Sequence, residues 1–251
     1  MLLLSINLTI PFGKDRINPE IDDETLIASL EQNIEIIVQN LDIYSTLVTF
    51  FVDVSIAERL KKTLKKLTTA GHEVAFYNIR STTSEIEIAK KILEDELQKK
   101  IRGLRQKLLK LPNKDIKSLD FSYVSNIEHS NIGFIFRRLK KDKTKLYYDD
   151  SLVFVPESLS PYSQLPFNDY VFQITPQKFY ENMILETLQN EDYVQVYMNA
   201  WQFFEKEELP YAFPFYKKYN LGKSFEDKLI AFLDFVTENE LATSRMKDYL
   251  F

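Results

Sequence analysis

No cysteine occurs among the 251 residues, and there are only two histidines, His72 and His129. The first absence excludes disulfides, thiolate metal sites and cysteine nucleophiles. The second excludes any site that needs three imidazoles from one chain. No run of about 18 apolar residues exists, so no membrane span is expected. The apolar start Met1-Leu2-Leu3-Leu4 has no basic stretch before it and is interrupted by Ser5 and Asn7. It is too short for a signal peptide, and a cytoplasmic location is expected. A basic excess is missing too. The 32 Lys and Arg against 37 Asp and Glu leave a net charge of -5, the wrong sign for a nucleic-acid partner.

Apolar residues make up 45% of the chain, with 19 Phe and 14 Tyr, enough for a sizeable core and unlike a disordered sequence. There is no internal repeat, low-complexity stretch or linker, so one domain over 1–251 is expected. Its first half alternates. Leu2 to Ile10 reads as a buried strand. Asp22 or Asp23 caps a helix whose apolar face is Leu26, Leu30, Ile34, Ile37 and Leu41. Leu47 to Val52 reads as a second strand. Ser55 then caps a helix with Ile56, Leu60, Leu64 and Leu67 inward and Lys61, Lys62, Lys65 and Lys66 outward. Gly71 ends that helix, and Glu73 to Tyr77 is a third strand. Ser84 and Glu87 have capping-box spacing, opening a helix that buries Ile88 and Ile92, with Leu93 and Leu97 as further candidates. Such alternation indicates a parallel sheet or barrel.

The second half is less regular. Strands are expected over Phe121–Val124, Gly133–Arg138, Lys145–Val155, Tyr170–Ile174 and Tyr193–Met198. A helix follows Pro176 to about Gln189, and a last helix capped by Ser224 turns Phe225, Leu229, Phe232, Leu233 and Val236 inward.

Several segments together resemble the NodB-type polysaccharide deacetylase family. Thr49-Phe50-Phe51-Val52, a helix, and Gly71-His72-Glu73-Val74-Ala75 resemble that family's T-F-F strand and its G-H-E-V-A lead into the metal motif. Ile101-Arg102-Gly103-Leu104-Arg105 is similar to its G-F-R-A-P segment. Asp120-Phe121-Ser122-Tyr123-Val124-Ser125-Asn126 is similar to G-F-x-Y-D-S-S. Val196-Tyr197-Met198-Asn199-Ala200-Trp201-Gln202 resembles Y-x-H-P-W-E, and Tyr219 to Ser224 also has a counterpart. The segments run in order over nearly the whole chain. The resemblance implies an α/β fold, a distorted (β/α)7-type barrel.

It also implies a reaction, metal-assisted hydrolysis of an acetyl group on a sugar. An Asp and two His hold the metal, a second Asp is the base and a late His the acid. Here those positions carry other residues. Asn7 falls at the base, and an amide takes up no proton at neutral pH. Thr9 or Ile10 falls at the metal aspartate, and Tyr77 and Ser81 fall near the metal histidines. Gln106-Lys107 follows the retained Arg105 where Ala-Pro would stand, and Val124 replaces the Asp after Tyr123. Asn199 replaces the late His, and Gln202 replaces the Glu after Trp201. No oxygen anion or imidazole is left for a hard metal, and Arg80 and Lys107 would repel one if they pointed in. No metal, no cofactor and no catalytic residue are therefore expected.

Some residues have two readings. His72 is either a ligand or a packed histidine at a helix-to-strand turn, and His129 lies in a polar loop. The run from Arg137 to Lys145 is either an anion site or a solvated edge that blocks aggregation. Asp149 and Asp150, adjacent on one strand, would point to opposite faces. Trp201-Gln202-Phe203-Phe204 either stacks on sugar rings or enters the core. Three functions compete. One is an inactive homologue that binds a glycan or protein partner in the old cleft, lined by Asn7, Tyr77, Asn78, Arg105, Tyr123, Asn199, Trp201 and Gln202. Another is a hydrolase of acetylated carbohydrate using non-standard residues. The third is a structural subunit of a larger assembly.

Overall fold

The computed structural model describes residues 1–13, 15–107, 109–126, 145–214 and 217–251. The expected strand over 133–138, His129 and residues 137–144 of the basic run lie outside them. Among the described residues, eight strands form one mixed sheet, curled into a half-barrel with helices around it.

Strand β1 (Leu2–Leu8) is buried at every position because both of its faces are covered. Leu2, Leu4, Ile6 and Leu8 pack outward into the main helix-covered core, while Leu3, Ser5 and Asn7 face the barrel interior. Strand β2 (Thr49–Asp53) pairs parallel with β1 and with β3 (Glu73–Asn78). Strand β4 (Gly103–Gln106) follows β3, then β5 (Tyr123–Asn126). The sheet ends on one side in a hairpin of β6 (Tyr147–Asp149) and β7 (Leu152–Phe154), and on the other in β8 (Val194–Asn199) beside β1. Among the described strands only the β6–β7 pair is antiparallel. The remaining seven strands run parallel, which is the expected (β/α)7-type layout.

The helices cover the outer face. Helix α1 (Asp23–Ile43) is capped by the Asp22 side chain, which accepts from the Thr25 N–H, and buries the expected stripe from Leu26 to Leu41. The second helix starts differently from expectation. The Asp53 carboxylate, not Ser55, caps a short 3-10 turn (Val54–Ile56), and α2 (Lys61–Thr69) follows. Gly71 follows the end of α2 at φ +99°, a left-handed conformation that glycine adopts without strain.

Helix α3 (Thr83–Leu97) is capped by Thr82 with Glu85, two residues before the expected Ser84–Glu87 box. Its buried stripe is therefore Ile86, Lys90, Leu93 and Leu97, and Ile88 is exposed. A short α4 (Asn113–Ser118) precedes β5. The expected long strand over Lys145–Val155 is broken into the β6–β7 hairpin at Asp150, which has φ +52°. Tyr170–Ile174 is not a strand. Asn168 accepts from the Val171 N–H and caps α5 (Asp169–Ile174), and a local cap overrides the β-propensity of Tyr, Val and Phe.

Pro176 precedes α6 (Gln177–Asn190). Gly222, not Ser224, starts α7 (Lys223–Glu238), which buries Phe225, Leu229, Phe232, Leu233 and Val236 as expected. A last short α8 (Met246–Leu250) closes the end of the barrel where the parallel strands begin. No described helix is long and apolar enough to cross a membrane.

Candidate functional site

Period-two alternation sends every second strand residue into the barrel. At the end closed by α8, Glu73 is buried and accepts from Thr49 Oγ1 at 2.8 Å, from the Lys247 N–H at 3.0 Å and from Tyr123 Oη at 3.1 Å. Burial raises its pKa, against the pull of those hydrogen bonds. Gly103 makes room for the Tyr123 ring, since a Cβ there would lie 2.1 Å from Tyr123 Cζ.

The middle of the barrel belongs to Arg105, which is fully buried. Its Nη1 donates to Asn7 Oδ1 at 2.6 Å, its Nη2 to Ser5 Oγ at 3.0 Å, and Nη2 and Nε reach Ser125 Oγ at 3.1 and 3.3 Å. The Gln195 amide, with its oxygen turned inward, accepts from Nη2 at 2.7 Å. These partners are all neutral. The guanidinium carbon also sits 3.8 Å from the Phe51 ring centre and 5.1 Å from that of Tyr197, so two π faces share the charge. Burial lowers the Arg105 pKa to about 10, so it remains a cation at neutral pH. Tyr197 Oη donates to Glu157 at 2.5 Å behind it.

At the carboxyl ends of the strands, where barrel sites lie, Asn7 Nδ2 donates to Asn199 Oδ1 at 3.0 Å. Asn199 Nδ2 in turn donates to Asp169 Oδ2 at 2.5 Å. Gln202 Oε1 accepts from the Asn199 N–H at 2.9 Å, and its Nε2 reaches Gln173 Oε1 and the Asp169 carbonyl. Asn78 Oδ1 accepts from the Ser81 N–H at 2.8 Å. Asp53 ends β2 opposite Tyr77. Burial raises the pKa of both Asp53 and Asp169, and Lys107 and Lys217 lie near enough to Asp169 for their charges to oppose that rise. Burial also pushes the Tyr77 hydroxyl far up, so it stays protonated.

The expected site residues therefore fall into different places. Asn7, Asn199 and Gln202 join one hydrogen-bonded network, with Arg105 beneath. Tyr77 is buried close enough to Arg105 and Asp169 to feel their charges, Thr9 is buried, and the Ser81 N–H donates to Asn78 Oδ1. Tyr123 is not at the mouth, for its hydroxyl holds Glu73 at the opposite end. Trp201 is half-buried and stacks on Phe213 at 5.7 Å between ring centres. His72 is buried, and its Nδ1 accepts from the Val48 N–H at 3.3 Å. Asp149 and Asp150 lie at the hairpin, where both face Lys117.

Sequence reasoning missed Asp53 and Asp169. Asp53 directly follows the Thr-Phe-Phe-Val strand, a position that points to a barrel mouth. Asp169 was hidden by reading α5 as a strand. Thr9, Tyr77 and Ser81, the residues that the resemblance puts at the metal positions, offer hydroxyls only. No described group of three or more His, Asp or Glu side chains is placed to hold one.

No family model and no curated protein matches the chain. Solved structures do. One from Pseudomonas aeruginosa PAO1, designated a polysaccharide deacetylase, is 10% identical with a TM-score of 0.61, covering 98% of this chain and 88% of its own. Another so designated, from Mycobacterium smegmatis, is 14% identical with a TM-score of 0.56, covering 95% and 82%. A CE4 family pseudoenzyme from Bacillus anthracis is 10% identical with a TM-score of 0.53, covering 100% of this chain and 65% of its own. The chain has the polysaccharide deacetylase fold.

Proposed function

We propose that this chain is a catalytically silent protein of the deacetylase fold whose barrel mouth binds a glycan. The observation that carries this reading is the state of Asn7. It stands where the resemblance puts the general base, and both ends of its amide are engaged, by Arg105 and by Asn199. An amide takes up no proton at neutral pH, and this one is fixed in place by a cation on its oxygen and an acceptor on its nitrogen, so it cannot act as a general base. The hydroxyls of Thr9, Tyr77 and Ser81 supply no anionic ligand at the metal positions. The fold alone implies no activity, and one of its structural neighbours is itself a pseudoenzyme. Half-buried Trp201 on Phe213, with exposed Phe12 nearby through Tyr211, gives the mouth apolar ring faces of the kind that sugars stack on.

The test has two arms. Acetate release from N-acetylchitooligosaccharides and peptidoglycan fragments, with and without added divalent metal, should stay at the level of a heat-killed control. Binding of the same oligosaccharides should weaken at least about tenfold in Trp201→Ala, as for an aromatic hot spot. Turnover would end the first half of the reading, and unaltered binding the second.

A second reading is supported by Asp53 and Asp169. Both have pKa values raised by burial and both act on Tyr77 electrostatically, the setting in which a carboxyl group can serve as an acid. On that reading acetate release occurs without metal and is abolished by Asp53→Asn or Asp169→Asn.

A further inference from the structure

The loops after β1 and β8 are zipped together at the rim of the mouth. Arg16 and Tyr211 form an antiparallel bridge, the Ala212 N–H donates to the Asp15 carbonyl at 2.9 Å, and the Ile17 N–H donates to the Pro210 carbonyl at 2.8 Å. This clasp brings four rings together in a row, Phe12 tilted on Tyr211, Tyr211 edge-on to Phe213, and Phe213 stacked on Trp201. Phe12 lies 6.4 Å from Tyr211, Tyr211 lies 6.4 Å from Phe213, and Phe213 stacks on Trp201 at 5.7 Å. The arc is open to solvent, with Phe12 61% exposed. Its Phe12 end carries a cation, since Arg80 Cζ sits 4.4 Å from the Phe12 ring centre. Arg80 is exposed, and among the described residues no carboxylate pairs with it. Next along the sheet, exposed Lys107 follows β4, with its N–H on the Asn78 carbonyl at the end of β3. Lys217 lies across the mouth near Asp169. On a chain of net charge -5, these cations gather at the one end of the barrel where the ring arc also lies.

We propose that this rim binds a carboxylated oligosaccharide, its sugar faces laid on the Phe12–Tyr211–Phe213–Trp201 arc and its carboxylates met by Arg80 and Lys107. The proposal rests on the reading of the mouth as a glycan site and names the class of glycan. Three sequential ring contacts span more than one sugar unit, which favours an oligomer over a monosaccharide. The guanidinium fork of Arg80 suits a planar carboxylate. An exposed arginine above an exposed ring, paired with no carboxylate among the described residues, can receive such a group with little desolvation cost. A neutral glycan would make no use of the charge, and an acidic peptide would make little use of the rings.

The test is titration calorimetry of the whole chain with oligogalacturonate, with N-acetylchitooligosaccharide of matched length, and with poly-glutamate. Oligogalacturonate should bind best, and its affinity should fall with added salt. Arg80→Gln and Lys107→Gln should each weaken it roughly five-fold, which corresponds to about 1 kcal/mol, and Phe12→Ala should weaken both sugars. Lys62→Gln, on the far basic face of α2, should change nothing. All four positions are exposed, so folding is not at stake. Equal binding of both sugars, untouched by Arg80→Gln and Lys107→Gln, would overturn the carboxylate assignment and leave the glycan reading standing. Poly-glutamate binding as tightly as oligogalacturonate, and indifferent to Phe12→Ala, would replace the sugar with an acidic peptide. No binding of either sugar would overturn the glycan reading itself.

Discussion

Arg105 Nη1 donates to Asn7 Oδ1 at 2.6 Å in the interior of the barrel, between two residues 98 positions apart in sequence. The amide oxygen takes one N–H of a buried cation whose other partners are also neutral. Removing it leaves a guanidinium N–H of this fully buried residue unpaired. Asn7→Leu should therefore lower stability by about 1–3 kcal/mol. Asn7→Asp keeps the acceptor and adds a carboxylate beside Arg105, but sets an oxygen where Nδ2 donates to Asn199 Oδ1, so at neutral pH its stability should lie between those of Asn7→Leu and the parent, while gaining no deacetylase turnover. Urea unfolding midpoints at constant slope report both. The idea fails if Asn7→Leu matches the parent or if Asn7→Asp loses as much as Asn7→Leu.

How far the sequence discloses this arrangement depends on the strength of the local signal. Strands β1, β2 and β3 and helix α1 are legible because long apolar patterns and a cap agree. The face of α3 is misread by two residues because Thr82 and Ser84 both stand three before a glutamate, and the sequence does not say which box closes. Tertiary packing selects Thr82, turning Ile88 out. Helix α5 is illegible from its Tyr-Val-Phe content, since its identity rests on one Asn168 cap. The motif positions Asn7 and Asn199 are found through the family resemblance, but their bond to each other is not, because it depends on the β1–β8 register. Tyr123 is assigned to the mouth by motif order, although the length of its side chain carries the hydroxyl to Glu73 at the other end.

Metal binding is a separate matter from turnover and can be measured directly. After mild dialysis against zinc, nickel or cobalt, the protein should retain well under one equivalent. Hydroxyls held protonated by burial, such as that of Tyr77, are poor ligands for these ions. One equivalent retained, and lost in Tyr77→Phe or Ser81→Ala, would show that these positions form a metal site after all.

His72 gives the fold a pH dependence of known sign. Its Nδ1 accepts from the Val48 N–H, its Nε2 is buried with no hydrogen-bond partner among the described residues, and burial lowers its pKa from 6.5, with Asp42 opposing the drop and Arg245 adding to it. Protonation removes the acceptor and buries a charge. The unfolded chain takes up the proton first, so the stabilisation is complete above pH 6.5 and is lost as the pH falls below that value toward the folded pKa. The parent should thus lose more stability than His72→Phe between neutral pH and about pH 5. Parallel stability curves for the two proteins would refute this account.

In the barrel interior the Tyr123 ring lies directly over Gly103, its neighbour in the β4–β5 register. A Cβ on residue 103 would lie 2.1 Å from Tyr123 Cζ and 2.2 Å from its hydroxyl oxygen. The ring is fully buried and stands 6.4 Å from Phe51, edge to face, while its hydroxyl holds Glu73, so it has no free direction in which to yield. Gly103→Ala should lower stability by about 1–3 kcal/mol, the range for overpacking a core, and glycine's poor strand propensity should not offset it. The cause can be isolated by a double-mutant cycle. Tyr123→Ala alone should cost about 3–5 kcal/mol through the cavity it leaves. In that background Gly103→Ala should become neutral or stabilising, because the atoms it strikes are gone. If the Gly103→Ala penalty is the same with and without the Tyr123 ring, the clash is not its source, and the glycine is required by the backbone instead.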